Sequence, residues 1–267
     1  MHNEKNTSNF FTISFRYFFY YLSWLFVFIA LGFNLIKVKK MWKKKEKANE
    51  SFFVVDIHKI VYKIFKKVAY LKNFEVVKVG FENIPKKQML FLPNHKANCD
   101  PICIFIALYE SGYYNPLSII AKKELSRFKS IRNVMGLLNG IFLDRQNGRS
   151  ILQCYHRETE LIKKNYSILV FPEGTRVIGH NFEKEFKPTV LKVAYENLIA
   201  VAPITIYGSD QKKRRKEGFK HKIIVTLNKP LQPNVFINVK PQILMNNIKN
   251  LITTKYFETK KFFEKKW

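Results

Sequence analysis

A histidine and an aspartate, five positions apart, lie in a loop that follows a short apolar segment. The segment QMLFLPNH (88–95) predicts a strand, and the loop NHKANCDP after it carries His95 and Asp100. A neutral histidine takes a proton from an alcohol near pH 7, and a carboxylate on its other ring nitrogen fixes the tautomer and stabilises the imidazolium. The same spacing also fits a surface histidine followed by a helix-capping aspartate.

A second loop carries an arginine after an apolar segment. GIFLDRQNGRS (140–150) places Arg145 just beyond a predicted strand and before Gly148. The planar guanidinium of arginine matches the oxygens of a phosphate. The alternative is an ion pair between Arg145 and a carboxylate such as that of Asp144.

A third loop, FPEGTR (171–176), combines an acceptor, a hydroxyl and a cation. Its proline and Gly174 predict a tight turn from which Glu173, Thr175 and Arg176 project. A carboxylate that accepts from hydroxyls, beside an arginine that binds phosphate, suits a polyol phosphate. The alternative is a structural turn held by a Glu173–Arg176 pair.

The elements that position these loops alternate between strand and helix. This alternation predicts an α/β domain with a mostly buried central sheet flanked by helices, in which ligands gather at the C-terminal ends of strands. The predicted strands span residues 74–85, 88–95, 140–145, 167–171, 198–208 and 222–230, and LSIIAKKEL (117–125) is predicted to be a strand followed by a helix. The main predicted helices span residues 52–71, 101–108, 152–163, 190–197 and 239–263.

The N-terminal part of the chain has the pattern of a membrane anchor. Tyr17–Ile36 is a run of 20 uncharged residues, about 30 Å as a helix, and seven lysines follow between Lys37 and Lys47. The positive-inside rule places the lysine side in the cytoplasm. We therefore expect residues 1–50 to form an N-terminal membrane-anchoring helix and basic linker, and residues 51–267 to form the functional domain. A helix that only dips into one leaflet is the alternative.

Composition narrows the class of partner. The chain has 267 residues, 47 lysines and arginines against 20 acidic residues, and a formal charge of +27, which implies an acidic partner. Three cysteines without a C-x-x-C pair argue against a disulfide scaffold or a thiolate zinc site. The sequence shows no other metal-ligand set and no glycine-rich nucleotide loop.

Two basic segments beyond the anchor are candidates for contact with anionic headgroups. Residues 52–71 have helical apolar spacing with interspersed lysines, so this helix either lies on a membrane or packs on the domain with its lysines solvated. Lys212–Lys216 (KKRRK) either touches headgroups or is a solvated loop.

Taken in order, the blocks NHKANCDP, GIFLDR, FPEGTR and VAPITIYG resemble the four sequence blocks of the glycerolipid acyltransferases. Within that superfamily they are most similar to the 1-acyl-sn-glycerol-3-phosphate acyltransferases. The resemblance spans about Val79 to Asn228. One departure is FKPT (186–189), where the family often has F-K-x-G, since Pro188 removes a backbone donor.

This resemblance implies transfer of a fatty acyl group from a thioester to the sn-2 hydroxyl of lysophosphatidic acid, giving phosphatidic acid in phospholipid biosynthesis. It implies that His95 is the general base and Asp100 its orienting partner. The acceptor would be bound by the residues of the second and third loops, with Lys122 as a secondary phosphate ligand: Arg145, Glu173, Gly174, Thr175 and Arg176.

The resemblance also implies the partners of the reaction. No metal or organic cofactor is expected, and the acyl donor is a thioester of acyl carrier protein or coenzyme A. The expected setting is the cell membrane, with the catalytic domain on the cytoplasmic side, anionic membrane lipid as a partner and no nucleic acid. The alternatives are acylation of glycerol 3-phosphate or another lysophospholipid, or a non-enzymatic protein that binds anionic lipid.

Overall fold

A computed structural model describes Lys40, residues 54–210 and residues 220–266. The described helices are α1 (Val54–Leu71), α2 (Asp100–Glu110), α3 (Lys129–Leu137), α4 (Gly148–Lys163), α5 (Lys192–Asn197), α6 (Pro233–Phe236) and α7 (Pro241–Lys266). Short 3-10 helices span Lys123–Arg127 and Pro188–Leu191. The predicted apolar anchor Tyr17–Ile36, the linker up to residue 50 and the basic run Lys212–Lys216 lie outside the described residues.

Seven described strands form one mixed sheet in the order β1-β7-β6-β2-β5-β3-β4. They are β1 (Phe74–Val79), β2 (Met89–Pro93), β3 (Leu117–Lys122), β4 (Ile141–Leu143), β5 (Ser167–Leu169), β6 (Ala200–Tyr207) and β7 (His221–Leu227). The neighbours β6, β2, β5, β3 and β4 run parallel, whereas β7 is antiparallel to β6. The loops after β2, β5, β3 and β4 therefore open at the same edge of the sheet.

The sheet is buried on both faces, as the apolar strands predict. All five residues of β2 are buried. Met89 and Phe91 contribute to the core between the sheet and α1 and α2, while Leu90 and Leu92 contribute to the opposite core under α4, α5 and α7. Alternate side chains of one strand thus fill both layers, which is the pattern of a central parallel strand. The predicted α/β fold with flanking helices is confirmed.

Helix α1 packs on the domain through its apolar face. Ile57, Val61, Ile64 and Phe65 are buried, and the Phe65 ring meets the Phe105 ring of α2 at 5.2 Å between centroids. Its lysines at 59, 63 and 66 stay exposed. Of the two alternatives for this segment, packing of the apolar face on the domain is confirmed, and Lys66 pairs with Glu110 of α2 at 2.9 Å.

Most element ends differ from the sequence prediction by one to four residues, and helix α3 was not predicted; the first strand differs most. The first strand ends at Val79 and does not extend to residue 85, because Gly80 adopts φ +77° and its α-carbon lies against the Leu227 carbonyl, where a side chain has no room. Helix α2 begins at Asp100 itself, with Cys99 in the cap position. The described part of the chain has no helix that combines the length and apolar character needed to span a bilayer.

Candidate active site

His95 and Asp100 form a hydrogen-bonded pair at the C-terminal edge of the sheet. His95 lies two residues beyond β2, and its Nδ1 is 2.9 Å from Oδ2 of Asp100. Because an ionised carboxylate only accepts, Nδ1–H is the donor and Nε2 carries the lone pair. Nε2 makes no hydrogen bond to a described residue, and the side chain of His95 is 18% exposed while that of Asp100 is fully buried. The pair therefore presents a basic nitrogen to the edge of the sheet.

The backbone of the loop fixes Asp100. Its Oδ2 also accepts from the backbone N–H of Lys96 at 2.6 Å and of Ala97 at 2.8 Å. A carboxylate turned back toward the loop cannot cap the helix that it begins, so the helix-capping alternative is wrong. Pro101 lies in the first turn of α2, where backbone N–H groups have no partner within the helix, so its missing N–H removes no helical hydrogen bond.

The turn after β5 holds both the backbone and the ring of His95. Oε1 of Glu173 accepts from the backbone N–H of His95 at 3.0 Å, and the carbonyl of His95 accepts from Val177 N–H at 2.8 Å. The Phe171 ring stacks on the imidazole with centroids 4.0 Å apart. Glu173 is 2% exposed, and burial raises the pKa of its carboxyl to about 7. The FPEGTR turn thus fixes the backbone and the ring plane of the histidine.

Arg145 and Lys187 converge over Gly174. A methyl group on the α-carbon of Gly174 would lie 3.6 Å from Nη1 of Arg145 and 3.8 Å from Cε of Lys187. Gly174 has φ +70°, which a residue with a side chain rarely adopts, so the glycine allows the turn to pass beneath both cations.

The half-buried guanidinium of Arg145 makes no ion pair to a described residue, and burial lowers its pKa. Asp144 pairs with Lys123 at 3.1 Å instead, so the alternative of an Arg145–Asp144 pair is wrong. An unpaired, partly desolvated cation is suited to bind an anion.

The remaining predicted binding residues are exposed at the same edge. Thr175 and Arg176 point to solvent, and Arg176 has no ion pair within the described ranges. The structural alternative of a Glu173–Arg176 pair is therefore wrong. Lys122 ends β3 and pairs with Glu124 at 2.9 Å, with 59% of its side chain exposed.

Three residues of the site were missed by sequence reasoning. Asn94 is fully buried and exchanges two hydrogen bonds with the Ile206 backbone, which ties the His95 loop to β6. Lys96 is 1% exposed, and Lys187 lies beside Arg145. For Asn94 and Lys96 the available signal was their position on either side of His95, directly after an entirely apolar strand; Lys187 lies in the FKPT segment (186–189), whose departure from the family pattern argued against a binding role.

The arrangement can take a proton from a hydroxyl whose neighbouring group is anionic. The base is at the end of β2, and the cations follow along the same edge from β5 and β4. Among the described residues, no group of three or more histidine, cysteine, aspartate or glutamate side chains is placed to hold a metal ion.

Comparison with known sequences points to one family. A family model described as Acyltransferase matches residues 75–207. A Mycoplasma pneumoniae protein named "Probable 1-acyl-sn-glycerol-3-phosphate acyltransferase" is 35% identical over 209 residues, which is 74% of this chain and 77% of the relative. A Mycoplasma genitalium protein of the same name is 35% identical over 211 residues, covering 76% and 78% of the two chains.

Comparison with solved structures supports the fold. The crystal structure of the 1-acyl-sn-glycerophosphate (LPA) acyltransferase PlsC from Thermotoga maritima superposes with a TM-score of 0.66 at 21% identity. The match covers 90% of this chain and 93% of that chain. The two proteins share an architecture across nearly their whole lengths.

Proposed function

Since this chain belongs to the family of 1-acyl-sn-glycerol-3-phosphate acyltransferases, we propose that it moves a fatty acyl group from an acyl thioester to the sn-2 hydroxyl of lysophosphatidic acid. The product is phosphatidic acid, an intermediate of phospholipid biosynthesis. The relatives' names support this acceptor, and the geometry of the site supports the chemistry.

The observation that carries the proposal is the 2.9 Å contact between His95 Nδ1 and Asp100 Oδ2. It leaves Nε2 to remove the proton of the sn-2 hydroxyl as the oxygen attacks the thioester carbonyl. The tetrahedral intermediate collapses with loss of the thiolate, which takes the proton from the imidazolium and leaves as a thiol. Asp100 stabilises the imidazolium during this exchange.

Direct transfer to the acceptor needs no acyl-enzyme. The thiol of Cys99, the nearest cysteine in sequence to His95, lies 4.0 Å from the Ser209 carbonyl and has no hydrogen bond to His95. The substrate hydroxyl is then the nucleophile, and no metal or organic cofactor takes part.

The phosphate of the acceptor binds between Arg145 and Lys187, above Gly174, with Arg176 at the rim. The two cations converge there without a described carboxylate partner, which supports an anion subsite. Glu173 is occupied by the His95 backbone, so its contacts favour positioning of the base over contact with glycerol. Thr175 is available to a glycerol oxygen, and Lys122, paired with Glu124, is a secondary contributor.

The net positive charge of the chain supports an acidic acyl donor, and the N-terminal apolar run supports a location at the membrane. Acyl carrier protein and coenzyme A are both acidic, and a net charge of +27 suits either as the donor. The proposed location is the cell membrane, with Tyr17–Ile36 as the anchor and the catalytic domain on the cytoplasmic side.

An acceptor comparison tests the proposal. Purified full-length protein in anionic vesicles is assayed with lysophosphatidic acid, glycerol 3-phosphate and lysophosphatidylcholine, each with acyl carrier protein and coenzyme A thioesters. We expect the highest kcat/KM for lysophosphatidic acid. A higher value for glycerol 3-phosphate would move the reaction to sn-1, and no acylation of any acceptor would favour a lipid-binding protein.

A further inference from the structure

The residue after the proposed base is a buried lysine. Lys96 is 1% exposed and is among the largest fully buried side chains of the described chain. Burying an ammonium costs several kcal/mol unless charges or dipoles compensate for the lost water. The surroundings of Lys96 show what compensates.

The side chain of Lys96 lies between two segments that are distant in sequence. Its Nζ donates to the Asn181 carbonyl at 2.7 Å and lies 4.0 Å from the ring centre of Phe182. The ring centre of Tyr256, on α7, is 5.3 Å away. Cation–π contacts of this kind stabilise a desolvated ammonium. Lys96 therefore joins the His95 loop to residues 181–182 and to the C-terminal helix.

Three carboxylates interact with the charge of Lys96, two of them buried and the third, that of Asp210, half-buried. They belong to Glu173, Asp210 and Asp100, and each has one buried oxygen without a hydrogen-bond partner: Oε2, Oδ1 and Oδ1 respectively. None is within ion-pair distance of Nζ among the described residues. The ammonium thus acts on them through space, in a medium where charges interact strongly.

Burial and neighbouring charges shift the pKa values of Lys96 and Glu173 in opposite directions. Burial lowers the pKa of Lys96, and the three carboxylates oppose that shift. Burial raises the pKa of Glu173 to about 7, Asp100 adds to the rise, and the His95 N–H, Lys96 and Lys184 oppose it. The other titratable groups at this cluster are His95 itself and His180, which bonds the Tyr256 hydroxyl at 2.9 Å.

We propose that Lys96 is a positioning residue of the acyl transfer, whose buried ammonium stabilises the Glu173 carboxylate behind His95 and joins the His95 loop to residues 181–182 and α7. This role rests on the function proposed above. The connection to His95 is direct, because Glu173 accepts from the His95 backbone and Asp100 accepts from its ring. Loss of the charge favours protonated Glu173, which holds the His95 backbone less strongly and no longer stabilises the imidazolium.

The test is the pH dependence of kcat/KM for lysophosphatidic acid in full-length Lys96→Met, which keeps the length of the side chain and removes its charge. We expect the part of the profile in which kcat/KM rises with pH to shift to higher pH by about one unit. Below the new midpoint kcat/KM should be about tenfold lower than in wild type, and at higher pH it should recover. Lys96→Arg keeps the charge and should keep the wild-type midpoint. Lys184→Met removes an exposed charge that also lowers the pKa of Glu173, and it serves as the matched control; its shift should be much smaller than that of Lys96→Met, because water and salt screen an exposed charge.

A double-mutant cycle tests whether Lys96 acts through Glu173. In a Glu173→Gln background, Lys96→Met should shift this part of the profile by much less, since the group through which Lys96 acts no longer titrates. Should Lys96→Met alone fail to fold, this double variant, compared with Glu173→Gln, decides, because it leaves no unpaired charge at Glu173.

Two outcomes contradict the role of Lys96. One is a uniform loss of activity with an unchanged pH profile in Lys96→Met, and the other is an equal shift with and without Glu173. Failure of the proposed function looks different, since wild-type protein would then not acylate lysophosphatidic acid at any pH.

Discussion

At the residue scale, the site divides into the proposed base, whose backbone and ring are held by neighbouring residues, and the proposed phosphate subsite. Every backbone polar group of His95 is used: its N–H by Glu173 and its carbonyl by Val177. The only part of the residue without a described partner is Nε2. By contrast, Arg145 and Arg176 make no described ion pair, so their charges remain available to the acceptor.

Arg145→Ala should raise the KM for lysophosphatidic acid far more than the KM for the acyl donor. It removes a charge-assisted phosphate contact of about 1.5–3 kcal/mol, which corresponds to roughly 10- to 150-fold in affinity. Arg176→Ala should act in the same direction but less strongly, because Arg176 is exposed. Steady-state kinetics with each substrate varied in turn measures both constants.

The matched control for Arg145 is Arg149→Ala, which removes an exposed arginine from the first turn of α4, with little expected change. A rise confined to the donor KM in both Arg145→Ala and Arg176→Ala would show that the subsite binds the thioester carrier and not the acceptor.

At the element scale, α1 packs on α2 through the buried, titratable imidazole ring of His58. The His58 ring meets the Phe105 ring edge-on with centroids 5.3 Å apart, and burial lowers its pKa to about 4. The unfolded value is near 6.5, so the unfolded chain binds more protons between pH 6.5 and pH 4. The stability that neutral His58 contributes is therefore complete above pH 6.5 and is lost as the pH falls toward 4.

Replacing His58 with leucine should remove this pH dependence. We expect the free energy of unfolding of wild type to lose up to about 3 kcal/mol from this group between pH 6.5 and 4, at 1.36 kcal/mol per pKa unit. Denaturant unfolding of both proteins across that range measures the difference. His156→Leu, at an exposed position of α4, controls for loss of a histidine. Parallel pH curves for wild type and His58→Leu would show that His58 does not titrate in this way.

Helices, strands and turns were predictable from sequence where the spacing of apolar residues or the turn residues within the segment itself determine its conformation. The apolar run of β2, the helical spacing of α1 and the Pro-Glu-Gly turn all specify their own conformations. The order of the strands is not local: β2 pairs with β5 and β6, which lie far along the chain. The same limit hid Lys96, whose partner Asn181 is 85 positions away. His95 and Asp100 were within reach because five positions of one loop bring them together.

At the scale of the whole molecule, the charge and the predicted anchor address the same problem. An acceptor with a long acyl chain stays in the leaflet, so His95 must be held at the interface to reach its hydroxyl. Most of the apolar face of α1 is buried in the domain, and its exposed side chains are lysines together with Asp56, Val55 and Tyr70. Tyr17–Ile36 remains the proposed apolar anchor, and the basic segments would add a salt-dependent contribution to membrane binding.

A chain shortened to begin at Glu50 should bind anionic vesicles less tightly and lose more activity on bilayer-embedded lysophosphatidic acid than on a short-chain, monomeric acceptor. Its residual binding should fall as salt rises, since exposed charges are screened over about 8 Å at physiological ionic strength. Vesicle flotation in a salt series, run beside both assays, measures this. Equal flotation of the shortened and full-length proteins would show that Tyr17–Ile36 is not the anchor.

The most direct test of the account is the kcat of His95→Ala for acylation of lysophosphatidic acid, measured beside wild type at pH 7.5 with thermal unfolding of both proteins. We predict a loss of at least about 10²- to 10⁴-fold in kcat, because general-base catalysis contributes in that range, with a similar KM and melting temperature. A folded His95→Ala protein that turns over at the wild-type rate would contradict the assignment of His95 as the base and, with it, the mechanism built on the His95–Asp100 pair.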